Sequence, residues 1–461
     1  MAAFLMHKDQ FSGLYKEILT PSRSLFKKDF LCSTYSYGDI FELAAGLGKT
    51  LSRHGGEKTV CLCTENKALV AAGVLAALTC ACRVILPYSF SRNALLEMRE
   101  AAGFDAAVTD HPEEMPAGVE IIEPSRVPSA AGAPETVRDP DEPFLCLFTG
   151  GSTGKPRVWS KSPRNLLMEA FYLQEKFGIA ENDLFISTAP PYHIYGLLFS
   201  VLLPFTARAQ VLPEIYTFPQ EIISTVNERK ATILVSVPIH YRALKVDNLS
   251  VPSLQNAFSS SGVLDRTDGL YFLEKTGIGI TEIYGSTETG GIAARSVSES
   301  TDSWKPLATV SWKLAERRLA VKSDFASPEM ERDEAGYCLT GDEARPDKDN
   351  RFVLLGRADG VIKVAGKRVD LLDVQDKIKT LPMVNDAVVI ALPAEKGREN
   401  IIAAVVAGNL TEAHLKKLLR EMLEPYAVPR LVKIVEQITR TATGKVDRRR
   451  IEHLFLNNKK R

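Results

Sequence analysis

The sequence lacks an excess of charge of either sign: 57 lysines and arginines balance 57 aspartates and glutamates over 461 residues. No overall field therefore recruits nucleic acid or an anionic membrane, and any such contact would have to be local. Cysteine is scarce and poorly spaced for chemistry. The 7 cysteines include Cys61 with Cys63 and Cys80 with Cys82 on short apolar runs, but there is no C-x-x-C pair and no nearby histidine, which argues against zinc. They read as small buried hydrophobes of a reducing compartment. Long hydrophobic runs are missing too. The most apolar stretch, Ala68 to Cys82, is too short to span a bilayer, is closed by Arg83, and reads as a buried alanine-rich helix. The opening MAAFLMHKDQ carries no secretory hydrophobic region with a cleavage site. A cytoplasmic protein without membrane or nucleic-acid partners is expected. No internal repeat or low-complexity tract stands out.

What is present alternates. From about Thr59 to Gly285, β-rich runs such as TVCLC at Thr59, RVILP at Arg83, LFISTAP at Leu184 and ATILVSVP at Ala231 are separated by segments of helical spacing. Near-continuous apolar strands between helices imply parallel sheets covered on both faces, an α/β fold. A stretch rich in Pro, Ala and Glu between Glu113 and Glu142 reads as an excursion joining two α/β subdomains. From Val310 to Leu355, short strands with charged turns predict a small β unit. After Gly356 the pattern is that of a compact α+β domain, giving a large N-terminal domain over 1–356 and a small C-terminal domain over 357–461.

The run FTGGSTGKPR, Phe148 to Arg157, follows an apolar strand and is dense in Gly, Ser and Thr. Glycines let the backbone approach an anion closely, and hydroxyls with backbone N–H groups can wrap a polyphosphate. It is not a Walker loop. Lys155 is followed by Pro156, and Thr149 stands where the first glycine belongs. GLGKT at Gly46 to Thr50 has Leu43 at that position, inside a helix-like segment, and is a decoy.

At this loop the sequence begins to resemble the adenylate-forming, AMP-binding superfamily of acyl- and aryl-CoA synthetases, peptide-synthetase adenylation domains and luciferases. The resemblance continues in family order through APPYHIYGL at Ala189, SSSGVLD at Ser259, YGSTETGG at Tyr284, YCLTGD at Tyr337, GRADGVIKVAGKRVDLLDVQ at Gly356 and TRTATGKVDRRR at Thr439. It implies ATP-dependent activation of a carboxylic acid as an acyl adenylate with release of pyrophosphate, then transfer to the thiol of CoA. It places Thr149, Gly151, Ser152, Thr153 and Gly154 on the nucleotide's phosphates, and Ser261 and Gly262 beside adenine and the acyl pocket. Tyr284 and Gly285 then lie along the base, with Thr287 on the α-phosphate and Glu288 on Mg2+, a hard cation that prefers oxygen ligands. Asp342 and Arg357 receive the ribose. His193 lines the mouth of the acyl site, whose wall includes Tyr195, Gly262 and Gly290. Lys445 corresponds to the mobile lysine that bridges the attacking carboxylate and the α-phosphate, where an ammonium offsets charge that builds up in the transition state. Asp359 takes the hinge position of a mobile small domain, and Gly366 the thiol's tunnel.

Some positions depart from the pattern. Gly150 stands where Ser is common, Arg157 where Lys is usual, and Asp373 and Gln375 where glutamates are common. Two other readings stay open at this level. One is an enzyme that loads the phosphopantetheine of an acyl carrier protein instead of free CoA. The other is a catalytically silent nucleotide-binding relative, against which the presence of Thr153, Thr287, Glu288, Asp342 and Lys445 together argues. The pocket segments mix glycines, aromatics and aliphatics, and so admit an aryl acid or a medium acyl chain.

Overall fold

The structure, a computed structural model, describes residues 8–52, 58–79, 82–124, 127, 136–149, 156–357, 360–364, 366–392, 400–439 and 448–456. The chain forms two compact units. The larger holds Met1–Thr149 and Val158–Leu355, and the bulk of the smaller is Gly356–Arg461.

Two α/β sheets build the larger unit, as the alternation of apolar runs and helices predicts. In the first, six strands lie in the order Glu120–Ile122, Ala106–Thr109, Lys58–Cys63, Cys82–Ile85, Leu145–Thr149 and Arg157–Lys161, and Lys58–Cys63 runs parallel to both its neighbours. The helix Lys67–Thr79 between two of these strands is built of Ala, Val, Leu and Gly on every side and is buried from Lys67 to Leu78, as an all-round apolar helix must be. Lys67, fully buried at its start, donates from Nζ to the carbonyls of Leu212 and Glu214, each at 2.7 Å. That side chain fastens the first sheet's helix to a loop that follows a strand of the second sheet.

The second sheet has nine strands. At its centre Leu184–Ser187, Ile233–Ser236, Asn256–Ser259 and Ile280–Ser286 run parallel side by side. Each ends on a serine, and Ser187, Ser236 and Ser259 fall within one residue of register, so the carboxyl ends of the strands form a polar rim. Ligands of open α/β sheets gather at such an edge. Beyond Ile280–Ser286 the chain reverses into an antiparallel partner, Gly290–Ser296. The segment Val310–Leu355 forms the expected small β unit, an antiparallel sheet of Ser311–Ala315, Arg318–Lys322, Cys338–Asp347 and Arg351–Arg357.

In the smaller unit a ribbon, Val361–Val364 with Lys367–Asp370, precedes a three-stranded sheet of Val384–Leu392, Ile401–Gly408 and Leu431–Val435. Alternate residues of these strands face opposite ways. Val389 and Ala404 pack with Leu415 and Leu419 of the helix Glu412–Met422, while Val388, Ile390 and Val405 pack with Ile451 and Phe455 of the helix Arg448–Leu456.

Two elements differ from the periodicity. Ile194–Leu197, Leu198–Leu202 and Leu203–Thr206 follow one another as a single helical rod whose middle segment has π geometry, and its even burial left no stripe to read. Arg157–Lys161, which closes the edge of the first sheet, is too short and polar to announce itself as a strand. Among the described residues, no helix is long and apolar enough to cross a membrane.

Candidate active site

The motif YGSTETGG folds as a hairpin whose tip is closed by its own side chains. Gly285 pairs with Gly291 and Ser286 with Gly290. Ser286 Oγ and Thr289 Oγ1 lie 2.8 Å apart, the Ser286 amide donates to Thr289 Oγ1 at 3.1 Å, and the Thr289 amide donates to Ser286 Oγ at 3.2 Å. This self-capped turn places Thr287 and Glu288 at its apex, both half-buried. Gly285 has no alternative here, because a Cβ would stand 2.3 Å from the Gly290 carbonyl oxygen. Gly290 itself sits at φ +67°, with a Cβ position 2.6 Å from Glu169 Oε2 and 2.6 Å from Phe325 Cβ. Its surroundings are thus the packing behind the turn.

Tyr284, at the base of the hairpin, donates its hydroxyl to Asp342 Oδ2 at 2.7 Å. Its ring packs on Trp304 and Phe352, with centroids 5.4 and 6.0 Å away. Asp342 is carried by the strand Cys338–Asp347 of the small β unit, and its amide donates to Thr340 Oγ1 at 3.2 Å. The structure therefore brings together two residues, 58 positions apart, that the sequence assigns to base and ribose. At the neighbouring strand end, Ser260 Oγ donates to the Ile283 carbonyl at 2.8 Å, and Ser261 holds a left-handed conformation at φ +70°. A non-glycine residue in that region is strained, and such residues cluster at ligand sites. Gly262 follows it, half-buried.

Thr149 ends the strand Leu145–Thr149, and its hydroxyl receives the Trp159 indole N–H at 2.9 Å. Gly151, Ser152, Thr153, Gly154, Asp359 and Lys445 lie outside the described residues, as does the side chain of Arg357. Gly366, at φ +76°, makes the turn between the strands of the smaller unit's ribbon.

His193 is the residue that opens the helical rod, and its carbonyl accepts the Leu197 amide at 2.7 Å. Its ring lies 4.6 Å from that of Tyr192, which in turn lies 4.6 Å from Phe90. One turn into the rod, a Cβ on Gly196 would come 1.9 Å from the Pro190 carbonyl oxygen, so only glycine lets the rod start this close to the strand-end loop. Tyr195 is 7% exposed and packs on Phe199 at 5.0 Å, which packs on Phe258 at 5.2 Å. Its hydroxyl is buried beside the Ser236 backbone without completing a hydrogen bond among the described residues. Burial raises its pKa well above the ordinary 10, so the group is a neutral donor.

With this geometry in hand, comparison with known proteins gives a consistent answer. The AMP-binding enzyme profile matches residues 21–341, and the AMP-binding enzyme C-terminal domain matches 373–445. The chain belongs to the AMP-binding enzyme family. Among curated relatives of this AMP-binding enzyme, a 3-hydroxybenzoate/4-hydroxybenzoate CoA ligase of Thauera aromatica is 25% identical over 68% of the chain and 67% of its own length. A malonate CoA ligase of Arabidopsis thaliana is 26% identical over 69% of the chain, which spans only 61% of that relative's length. An acyl-coenzyme A synthetase of Rattus norvegicus is 28% identical over 67% of the chain and 61% of its own length. Among solved structures, an o-succinylbenzoate CoA synthetase of Bacillus subtilis superposes with a TM-score of 0.79 at 20% identity, covering 91% of this chain and 93% of that one. An amide bond synthetase of Marinactinospora thermotolerans gives 0.81 at 19% identity, covering 96% and 99%. These structural neighbours show the shared fold. These curated relatives are named as CoA ligases and synthetases.

Sequence reasoning missed two charged residues behind the hairpin. Glu169, 2% exposed, accepts the Gly291 amide on Oε1 at 2.7 Å, and Lys161, 1% exposed, donates to the Phe325 carbonyl at 2.7 Å and the Glu288 carbonyl at 3.3 Å. The signal was available. Glu169 shares its helix face with Leu166, Ala170 and Leu173, all buried, and Lys161 lies two residues beyond Trp159, on the same side of its strand.

Proposed function

We propose that the enzyme adenylates an aromatic carboxylic acid that carries a polar ring substituent, and transfers the acyl group to CoA. The observation that carries the nucleotide half is the Tyr284–Asp342 hydrogen bond at the base of the hairpin that presents Thr287 and Glu288. In this reading the aromatic face of Tyr284 meets adenine, Asp342 accepts the ribose hydroxyls, and Thr287 donates to the α-phosphate. For Mg2+ the donor set fits. Among the described residues no three carboxylate, histidine or cysteine side chains gather into a cage, and Mg2+ in nucleotide sites is held by one or two carboxylates together with phosphate oxygens and water. Glu288 would hold the ion, which when bound neutralises charge on the departing pyrophosphate. Lys445 brings the carboxylate and the α-phosphate together, and Asp359 is the pivot about which the segment 357–461 turns between the adenylating and thioester-forming states, with Gly366 lining the path of the thiol.

For the acid, support comes from the aromatic cluster of Tyr195, Phe199 and Phe258 and from the buried Tyr195 hydroxyl, which lacks a hydrogen-bond partner among the described residues and would gain one from a ring hydroxyl or a similar acceptor. In this reading His193 would stand at the mouth of the acid's pocket and Ser261 with Gly262 at its edge. A relative named for hydroxybenzoates agrees with this reading, and relatives named for CoA favour free CoA over a carrier protein. The test is a panel of benzoates, with and without ring hydroxyls, and of aliphatic acids, assayed for ATP-dependent pyrophosphate release and for acyl-CoA formation. A hydroxybenzoate should exceed benzoate in kcat/KM by about tenfold, the value of one buried hydrogen bond that is otherwise unmade. Equal use of benzoate and its hydroxylated forms would remove the polar-substituent reading.

A further inference from the structure

Lys161 and Glu169 occupy a place where buried charge needs a reason. Both are buried, and neither reaches solvent to recover its hydration. Burial lowers the pKa of the Lys161 ammonium, with Glu169 the first of the charges that oppose this, followed by Glu288 and Glu329. Burial likewise raises the pKa of the Glu169 carboxyl, which Lys161 and the Gly291 amide oppose. The two charges influence each other without a direct salt bridge, and even a buried ion pair is often no more stable than a well-packed apolar pair of the same volume, so a gain in stability is a weak explanation.

Their partners suggest another. Glu169 binds the amide of Gly291 on the outgoing strand, directly after the turn, and Lys161 binds the carbonyl of Glu288 within it. The same Glu288 carbonyl accepts the Ser327 amide at 2.8 Å. Lys161 also holds the Phe325 carbonyl, while Asn165 Nδ2 donates to the carbonyls of Asp324 at 2.6 Å and Ala326 at 3.2 Å. Strand Arg157–Lys161, the start of helix Pro163–Phe177 and the loop 323–327 thus form a polar bed beneath the turn. The glycines complete it, since a side chain on Gly290 or Gly291 would run into the Glu169 carboxylate.

We propose that Lys161 and Glu169 are positioning residues for adenylation, gripping the backbone within and after the turn so that Thr287 and Glu288 face the nucleotide and its metal in a fixed geometry. This rests on the assignment of Glu288 to Mg2+·ATP made above. Neither residue touches substrate. Each acts through a backbone group next to one that does, where a shift of about 1 Å is enough to cost rate.

The test compares Lys161→Met, Glu169→Gln and the double variant Lys161→Met/Glu169→Met with Glu288→Gln. Three quantities are measured on each: ATP affinity by calorimetry with Mg2+ and with chelator, kcat and KM in ATP–pyrophosphate exchange, and thermal unfolding. Lys161→Met should lose about tenfold in Mg2+-dependent ATP affinity and in exchange kcat, while the KM for the acid stays within about twofold, because its contacts to the Glu288 and Phe325 carbonyls are removed. Glu169→Gln keeps an acceptor for Gly291 and should lose only about threefold. The proposal is overturned if Lys161→Met and the double variant melt at shifted temperatures yet keep wild-type Mg2+·ATP affinity and exchange below that melt. Should Lys161→Met fail to fold, Glu169→Gln decides by the same readouts. A normal Mg2+ response in Glu288→Gln would instead remove the underlying assignment, whereas an impaired Glu288→Gln beside normal Lys161→Met and Glu169→Gln would overturn the positioning role alone.

Discussion

The larger and smaller units are held together by different means. The larger unit buries several ionisable side chains, among them Lys67, Arg138, Lys161, Glu169, Asp268 and Glu282. The smaller one, among the described residues, buries only Asp370, whose Oδ1 accepts the Leu372 and Asp373 amides at the head of a helix. Its remaining core is aliphatic: Val389, Ala404, Leu415 and Leu419 on one face and Val388, Val405 and Ile451 on the other. Buried charges constrain directions and distances, because a small displacement leaves a group unpaired. Aliphatic packing constrains volume. The unit that carries the hairpin is therefore the geometrically exacting one, whereas the unit whose sequence contains Lys445 needs to be cohesive.

The largest effect that can break this contrast is expected at Lys445. Lys445→Ala should lose adenylation by about a hundredfold or more, as removal of a transition-state contact does, and still convert a supplied acyl adenylate to thioester. Equal loss in both half-reactions, assayed separately, would make the defect one of folding. Next is Leu415→Ala, which empties a fully buried site in the aliphatic core and should cost about 2–5 kcal/mol. Denaturation should show that loss in the smaller unit while ATP affinity of the protein is kept. A fall in ATP affinity alongside it would mean that the two kinds of core are not independent. A third test concerns the directional unit. Asp342→Ala should raise the KM for ATP about tenfold and Tyr284→Phe about threefold, each losing the 2.7 Å hydrogen bond. An unchanged KM for ATP in Asp342→Ala would leave that residue a purely structural role.

The last effect is one of pH, spread over two units and so the gentlest per unit. Burial lowers the pKa of Lys67 from the ordinary 10.5 to about 7, partly opposed by Glu214. Between those values the unfolded chain binds a proton that the folded chain lacks, so this residue makes stability rise with pH across that window, and its penalty is at full size below pH 7. From pH 7 to pH 9 the rise amounts to on the order of 2 kcal/mol. Lys67→Met should flatten it in denaturant titrations. A variant with the same pH slope as wild type would show that the ammonium is not what titrates.

Much of this was legible in the sequence because it is periodic or contiguous. The helix Pro163–Phe177 and the strand Leu431–Val435 follow from spacing and composition. Tyr284, Thr287 and Glu288 sit in one unbroken motif that folds as one hairpin. What escaped depends on long-range partners. Nothing local in Tyr284 points to Asp342, since the two meet only once the small β unit packs beside the second sheet. The burial of Lys161 and Glu169 could be read from their neighbours, but their grip on the turn exists only in the bed that the loop 323–327 completes. The rod Ile194–Thr206 is buried so evenly that no period survives in it.

On the proposed reading of Tyr195 as part of the acid's pocket, that rod bears on acid preference. A π segment behaves as a single-residue insertion in an α-helix, and one residue corresponds to a rotation of about 100° at 3.6 residues per turn. Everything ahead of Leu198–Leu202, Tyr195 included, is therefore turned relative to what an uninterrupted helix would present. Deleting one residue from that segment would swing the phenol off its present bearing without altering any side chain of the wall. The direction of the Tyr195 hydroxyl, unpaired among the described residues, is thus written in the length of the helix, and on the proposed reading a gain or loss of a single codon there would redirect acid preference.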